Sequence, residues 1–138
     1  MATEEMYREN ILDHYKRPRN RGSLAGATVS AQDSNPLCGD EIEMSLKLDG
    51  KGRRIAGIAF DGSACAICTA AASMLTEEVR GKPVANARDF RKEDLLSMLG
   101  IDPGPSRLKC ALLPLKVMKL AVYRYLGKKM SEEDEKLV

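Results

Sequence analysis

The sequence predicts an α+β fold, a three-stranded antiparallel sheet with helices packed on one face. One helical stretch is followed by strand-like segments joined by short turns, and longer helical stretches fill the second half of the chain. Chains that segregate strands and helices in this way build α+β architectures. The 138 residues carry no internal repeat or low-complexity linker, so we interpret residues 1–138 as a single domain with its own core.

The first predicted element is a helix that begins near Thr3 and ends before Pro18. Thr3 suits the N-cap, apolar residues recur at helical spacing from Tyr7 to Tyr15, and proline cannot continue the helix. His14 lies on this helix, far in sequence from the cysteines. We therefore expect it to be a partly exposed side chain rather than a metal ligand.

Three strands are predicted next, and the clearest spans Ile42 to Leu48, where apolar and polar residues alternate. A shorter strand from Thr28 to Gln32 precedes it and is broken by the polar cluster at 33–36. The turn at 49–52 leads to a return strand from Arg54 to Phe60. Neighbouring strands with hairpin connections pair antiparallel.

Two helices are predicted after the sheet. The segment from Ala66 to Arg80 is rich in alanine, the strongest helix former, and Gly81 provides a C-terminal stop. A short helix is predicted from Lys92 to Leu99, ended by Gly100.

The last long helix is predicted to run to about Leu126. Pro114 fits best in its first turn, which would place Cys110 at or just before the helix start. The acidic segment from Ser131 to Glu135 follows, and we expect it to be solvated.

Composition excludes several classes of function. Lys plus Arg number 22 and Asp plus Glu 20, a net charge of +2 that is too even for a chain coating nucleic acid or an acidic membrane. The most apolar stretch, Ala64 to Leu75, is shorter than the roughly 20 residues of a membrane-spanning helix. The acidic start lacks the apolar region of a secretory signal. We expect a cytoplasmic protein without nucleic-acid or membrane partners.

The chemistry of the chain is concentrated in four cysteines, Cys38, Cys65, Cys68 and Cys110. In a reducing compartment, four thiols in one small domain favour metal or redox chemistry over disulfides. Cys38 lies in a predicted loop, and Cys65 and Cys110 precede predicted helices, whose N-terminal N–H groups favour a thiolate. The alternative is that each is a small buried residue, a weaker interpretation for three cysteines so placed.

Asp40 follows Cys38 with only Gly39 between them. Glycine permits the tight backbone that lets a thiolate and a carboxylate converge on one ion, although an aspartate that caps its own turn is common. With Cys65 and Cys110, these two residues make a four-ligand set that suits tetrahedral zinc or the iron of a sulfide cluster. A hard oxygen among soft sulfurs would hold a cluster less tightly.

The C-x-x-C sequence from Cys65 to Cys68 also has a dithiol redox interpretation. A thioredoxin-type motif belongs in a parallel βαβ setting, whereas the strands here are predicted to be antiparallel. Cys68 is expected to face inward one turn into the helix. We favour a structural or accessory role for it over that of a resolving cysteine.

Basic residues recur toward the C-terminus. They form either a solvated face or a docking surface for an acidic protein partner. They are Lys109, Lys116, Lys119, Arg124, Lys128 and Lys129.

These motifs give the sequence a resemblance to a known family. It resembles the U-type iron–sulfur cluster assembly scaffolds, the IscU, SufU and NifU N-terminal family, along nearly its whole length. Three ordered cysteine motifs at family spacing are more specific than a single C-x-x-C. The segments that carry the resemblance are Met6-Tyr7-Arg8, Asp13-His14-Tyr15, Pro18-Arg19-Asn20-Arg21-Gly22, Asn35-Pro36-Leu37-Cys38-Gly39-Asp40, Gly62-Ser63-Ala64-Cys65-Ala66-Ile67 and Arg107-Leu108-Lys109-Cys110-Ala111.

The resemblance implies a scaffold that holds a nascent [2Fe–2S] cluster, iron or a zinc ion and passes a cluster to recipient apo-proteins or carrier proteins. It implies ligand roles for Cys38, Asp40, Cys65 and Cys110. It also implies a cysteine desulfurase partner that delivers persulfide sulfur, with Cys110 the first candidate acceptor and Cys38 the second. Lys109 is expected to contribute to the site.

The sequence departs from the family pattern at several places. Lys109 stands where IscU-type members have His, and the segment at 102–107 replaces the Leu-Pro-Pro-Val-Lys stretch that a dedicated Hsp70-type chaperone reads, which argues against that partnership. The ending at 107–110 is similar to SufU, but 81–110 has no room for the SufU-type insertion. Cys68 occupies a position that is usually Ser.

Three functions therefore stay open, and the leading one is a non-enzymatic assembly scaffold. The second is an enzyme, a zinc-dependent sulfurtransferase that accepts persulfide sulfur, in which zinc keeps the thiolate poised. The third is a zinc-stabilised binding module without transfer chemistry.

Overall fold

The computed structural model describes residues 4–36 and 39–137, so the predicted N-cap Thr3 and the predicted ligand Cys38 lie outside the described residues. The elements in chain order are α1 (Glu4–Lys16), β1 (Val29–Asn35), β2 (Asp40–Leu48), β3 (Ile55–Asp61), α2 (Ala66–Val79), α3 (Val84–Arg88), α4 (Lys92–Leu99), α5 (Pro105–Leu126) and α6 (Glu132–Glu135).

The predicted fold class is confirmed. The three strands form one antiparallel sheet in the order β1-β2-β3. Ile42, Met44 and Leu46 of β2 are buried while Glu41 and Glu43 are exposed, so the alternation in sequence is the alternation of the two sheet faces. The buried face packs against α5, and α2 packs beside it against α5 and β3. Within the described residues, no helix is both long and apolar enough to cross a membrane.

The first strand is longer than the sequence predicts. The polar cluster at 33–36 was expected to break it, but β1 continues to Asn35, which pairs with Asp40 of β2. The ladder to β2 satisfies the backbone of these polar residues and outweighs their weak strand propensity. The Gly39 N–H donates to the Asn35 carbonyl at 2.9 Å, which extends the contact between the two strands to the end of β1.

The predicted start of the last helix is wrong. α5 begins at Pro105, which takes the proline-favoured first position, and Gly104 is the N-cap with φ +77°. Pro114 lies inside the helix and is buried, and its missing N–H removes the helical hydrogen bond to the carbonyl of Cys110. Cys110 therefore lies in the second turn of α5, where the effect of the helix N-terminus has faded.

His14 is buried, against the expectation that it is partly exposed, with 5% of its surface accessible. Its Nδ1 lies 2.7 Å from Ser73 Oγ on α2, and the same hydroxyl accepts a hydrogen bond from the Arg19 N–H at 2.8 Å. Burial, and then the charge of Arg19, lower the pKa of His14 from 6.5. The neutral histidine connects α1 to α2 through its hydrogen bond with Ser73.

The acidic C-terminal segment is also less solvated than predicted. It forms α6, in which Asp134 is buried and lies 3.0 Å from Lys119 Nζ on α5. Lys119, expected on the basic surface, is only 4% exposed and also donates to the Arg88 carbonyl at 2.9 Å. Tyr123 completes the cluster by donating to Asp134 Oδ2 at 3.0 Å. A buried ion pair thus holds the C-terminal segment on the long helix.

Candidate metal centre

Three elements bring one ligand atom each to a single place. Asp40 begins β2, Cys65 is the N-cap of α2, and Cys110 lies in the second turn of α5. One carboxylate oxygen of Asp40 and the Sγ atoms of Cys65 and Cys110 all lie within 4.8 Å of one another. The sheet, the helix that follows it and the long helix therefore meet at one group of side chains, here called the Asp–Cys–Cys group.

The carboxylate of Asp40 is buried and only half satisfied. Asp40 is 4% exposed, and its Oδ1 accepts a hydrogen bond from the Cys65 N–H at 2.9 Å. Among the buried side-chain nitrogens and oxygens of the described residues, Asp40 Oδ2 is the one that has no hydrogen-bond partner. A buried unpaired carboxylate oxygen is unfavourable without a compensating charge. Its position among thiols fits a cation.

The loop from β3 to α2 brings Cys65 close to Asp40. The Glu41 N–H donates to the Ser63 carbonyl at 2.8 Å. Gly62 adopts φ +136°, and a Cβ at this position would collide with the backbone carbonyl of Glu41. Only glycine allows the loop to lie this close to the start of β2. The sequence shows Gly62 as a turn residue after Asp61, and no sequence pattern reveals the close approach.

The group has one partly accessible thiol and two buried members. Cys65 has intermediate exposure, whereas Cys110 is 1% and Asp40 4% exposed. Two sulfurs and one oxygen are three protein ligands of the kinds that bind zinc or iron. Three ligands leave a fourth position for another protein side chain, sulfide or an incoming ligand. Cys65 is the member of the group that is partly open to solvent.

The structure brings together three of the four predicted ligands, and the fourth, Cys38, lies outside the described residues. Cys68 lies in the first turn of α2 and is fully buried in the core, facing inward as predicted. Lys109 is exposed beside Cys110 on α5. The placement of Cys65 at a helix start is confirmed, and that of Cys110 is corrected as described above.

Comparison with known proteins agrees with this architecture. The fold and the thiol-rich motifs are those of the U-type iron–sulfur cluster assembly scaffolds. Residues 6–132 match the family described as NifU-like N terminal domain, and the chain belongs to this family.

Relatives with both of the expected activities are found. The chain is 33% identical over 141 residues to the zinc-dependent sulfurtransferase SufU of Bacillus subtilis (strain 168), covering 90% of this chain and 94% of the relative. It is 35% identical over 128 residues to the iron–sulfur cluster assembly scaffold protein IscU of Aquifex aeolicus (strain VF5), covering 93% and 81%.

A solved structure shows the same similarity in three dimensions. The crystal structure of a SUF-system protein from Fervidobacterium islandicum AW-1, whose description is "Putative iron-sulfur cluster assembly scaffold protein", superposes with a TM-score of 0.69 at 26% identity. The match covers 88% of this chain and 99% of that one.

Proposed function

We propose that this protein is a scaffold on which iron and sulfur are assembled into a labile [2Fe–2S] cluster for transfer to recipient apo-proteins or carrier proteins. The observation that carries the proposal is the orphaned Oδ2 of buried Asp40, within a group whose ligand atoms lie within 4.8 Å of one another. The cluster is the cargo of the site, and a cysteine desulfurase in the same cytoplasmic compartment supplies its sulfur.

The proposed ligands are Asp40, Cys65 and Cys110, with Cys38 as the fourth. Cys38 stands two residues before Asp40 in the chain. The covalent backbone keeps Cα atoms two residues apart within about 7 Å, and this closeness in the chain supports the choice of Cys38 as the fourth ligand.

The composition of the group favours release of the cargo. The carboxylate of Asp40 is a harder ligand than the thiolates and binds iron of a sulfide cluster less firmly. Cys65 has intermediate exposure, so a thiol of a recipient protein can approach the ligand on that side. Ligand exchange of this kind transfers a cluster without unfolding the scaffold.

Sulfur is proposed to arrive at Cys110, with Cys38 as the second candidate acceptor. Cys110 is itself buried, but the two residues before it, Leu108 and Lys109, are exposed on the surface of α5. The acceptor thus lies next in the chain to exposed residues of α5, and a partner protein that contacts these residues would be close to it.

Anaerobic reconstitution tests the scaffold function. Protein supplied with ferrous iron, L-cysteine and a cysteine desulfurase is expected to develop the visible charge-transfer absorption of a cluster. Replacing any one of Cys38, Cys65 and Cys110 by alanine is expected to abolish it. Cys68→Ala is the matched control, since it removes a thiol outside the Asp–Cys–Cys group. Failure of the unmodified protein to form a cluster would overturn the proposal.

The second candidate is a zinc-dependent sulfurtransferase, in which a cysteine that binds zinc leaves the metal to accept persulfide sulfur. It is favoured by the three-ligand arrangement with room for a fourth ligand and by the similarity to Bacillus subtilis SufU. Metal and sulfide analysis of anaerobically purified protein separates the two functions. Zinc without sulfide, together with stimulation of a desulfurase that Cys110→Ala abolishes, would establish the enzyme.

A further inference from the structure

Cys68 is the one cysteine of the described residues that lies outside the Asp–Cys–Cys group, and its position relative to Cys65 suggests a separate chemistry. The sheet is antiparallel, which is not the setting of a thioredoxin-type motif, and the sequence favours a structural role for Cys68. The structure places the two cysteines at the N-cap and third position of one helix, and on that ground we propose instead that Cys65 and Cys68 form a thiol–disulfide exchange site whose substrates are small-molecule disulfides. Closure of the 65–68 disulfide removes Cys65 from the Asp–Cys–Cys group. The site operates in the metal-free protein and does not depend on cluster assembly.

The two cysteines occupy the N-cap and the third position of one helix, and both positions belong to its first turn. Cys65 is the N-cap of α2 with an extended backbone (φ −69°, ψ 171°), and Cys68 is the third helical residue. N-cap and third-residue side chains reach each other's backbone in a capping box. Cα atoms three residues apart along a helix are about 5 Å apart, within the range of disulfides. Cys65 also packs against the core cluster that contains Cys68.

Unequal burial gives the two thiols different roles. Cys65 has intermediate exposure and meets an external disulfide first, whereas Cys68 is 0% exposed. In the first step the Cys65 thiolate attacks R–S–S–R, which forms Cys65–S–S–R and releases R–S⁻. In the second step the Cys68 thiolate attacks Cys65 Sγ, which closes the protein disulfide and releases the second R–S⁻. Overall, two protein thiols are oxidised, and one small disulfide is reduced to two thiols.

The competing product is a disulfide between Cys65 and Cys110. Their Sγ atoms lie within 4.8 Å of one another, but they are held on two different elements, α2 and α5. Closing that bond joins side chains from two elements that are each packed in a dense core. The bond to Cys68 needs adjustment within one helical turn only. Both products remove Cys65 from the metal-binding group, so the experiment must identify the partner.

Tryptic peptides separate the two products because basic residues fall between the sites. Cys65 and Cys68 share the peptide 55–80, Cys110 lies in 110–116, and Cys38 lies in 22–47. The full chain is freed of metal, incubated with glutathione disulfide, alkylated under denaturing conditions and digested without reductant. We expect peptide 55–80 to appear unalkylated and lighter by two hydrogen atoms. A doubly alkylated 55–80, or one cross-linked to 110–116, would overturn the proposal.

Two variants assign the roles. Cys68→Ser is expected to stop the reaction after the first step, so that glutathione remains attached to Cys65. Cys110→Ser is expected to leave disulfide formation unchanged, and loss of the reaction in this variant would overturn the assignment. Because Cys68→Ser retains a side chain of similar size, near-native circular dichroism checks that its core is intact.

Competition with metal tests the link to the Asp–Cys–Cys group. Binding of zinc engages the Cys65 thiolate, so saturation with zinc is expected to slow disulfide formation by at least about tenfold. Equal rates with and without zinc would show that the disulfide and the metal do not compete for Cys65.

Discussion

The Oδ1 atom of Asp40 accepts a hydrogen bond from the backbone N–H of Cys65 at 2.9 Å. This bond joins the first residue of β2 to the N-cap of α2. One carboxylate thus fixes the position of a thiol with one oxygen and presents the other, buried and without a hydrogen-bond partner in the described chain, to the same place. The same carboxylate therefore positions Cys65 and also carries the buried oxygen whose charge a cation would compensate.

Asp40→Asn is expected to change stability and metal binding in opposite directions. The asparagine carbonyl can still accept from the Cys65 N–H, while the buried negative charge is removed. In the metal-free protein the free energy of unfolding should rise by about 1 kcal/mol. Zinc affinity, measured by competition with a chromophoric chelator, should fall by at least about tenfold, the loss that even outer-shell changes cause.

Asp61→Asn is the matched control for this prediction. Asp61 ends β3, its side chain is 61% exposed, and its Oδ1 accepts from the Gly62 N–H at 2.9 Å. Neither unfolding nor zinc binding should change measurably. Equal effects of the two substitutions would show that the orphaned oxygen of Asp40 has no special role.

Gly62→Ala is expected to destabilise the fold and disturb the site together. The added Cβ collides with the Glu41 carbonyl, and φ +136° is unfavourable for any residue with a side chain. The free energy of unfolding in urea should fall by about 2 kcal/mol, and zinc binding should weaken because the loop carries Cys65. Gly50→Ala, where a Cβ has no neighbour within 4 Å, should leave both unchanged.

The sequence predicts the sheet well because the signals for its strands and turns lie within short stretches of the chain. The alternation from Ile42 to Leu48 and the turn at 49–52 are periodic or compositional signals, and the helix at Lys92–Leu99 is bounded as predicted. The predicted start of α5 is wrong because the segment has two prolines, Pro105 and Pro114, and either could take the first helical position. The structure uses Pro105 for that position and accommodates Pro114 inside the helix, buried in the core.

The candidate site also has a part that the sequence predicts, the ligand residues, and a part that only the structure shows, the contacts that hold them together. Motif spacing points to Asp40, Cys65 and Cys110 as ligands, because cysteine and aspartate are metal-binding residue types that can be recognised in the sequence. The hydrogen bond from Cys65 to Asp40 and the close approach at Gly62 depend on how β2 and the following loop are placed in space. No periodicity in the sequence records such contacts, because they join residues more than twenty positions apart.

His14 makes stability depend on pH. Burial lowers its pKa from 6.5, so the unfolded chain binds this proton more readily than the folded protein does. The stability that neutral His14 provides is fully present above pH 6.5 and is lost as the pH falls from there through the lowered pKa. Arg19 adds to the lowering, while Glu77 and Asp13 oppose it.

Urea unfolding above and below pH 6.5 measures this dependence. His14→Gln keeps a hydrogen-bonding side chain against Ser73 but cannot titrate, so its stability should be flatter in this window. Four carboxylates have pKa values lowered from 3.8, so their contribution to stability is lost only below pH 3.8. They are Asp13, Asp49, Asp89 and Asp94. His14, the single histidine of the chain, is therefore the group expected to titrate in this window. An unchanged pH dependence in the variant would contradict the assignment.

The pair of Lys119 and Asp134 is expected to hold the C-terminal segment. Its side chains are 5% and 11% exposed at an N–O distance of 3.0 Å, and removing one partner leaves the other charge buried. Lys119→Met should therefore lower the free energy of unfolding by about 3 kcal/mol. Arg8→Met removes an ion pair of similar length, 2.8 Å to Glu4, with side chains 70% and 68% exposed, and should have almost no effect. Adding Asp134→Leu to Lys119→Met should recover part of the loss, because no buried charge then remains; a further loss of stability in the double variant would show that Asp134 acts mainly through Tyr123 rather than through the lysine.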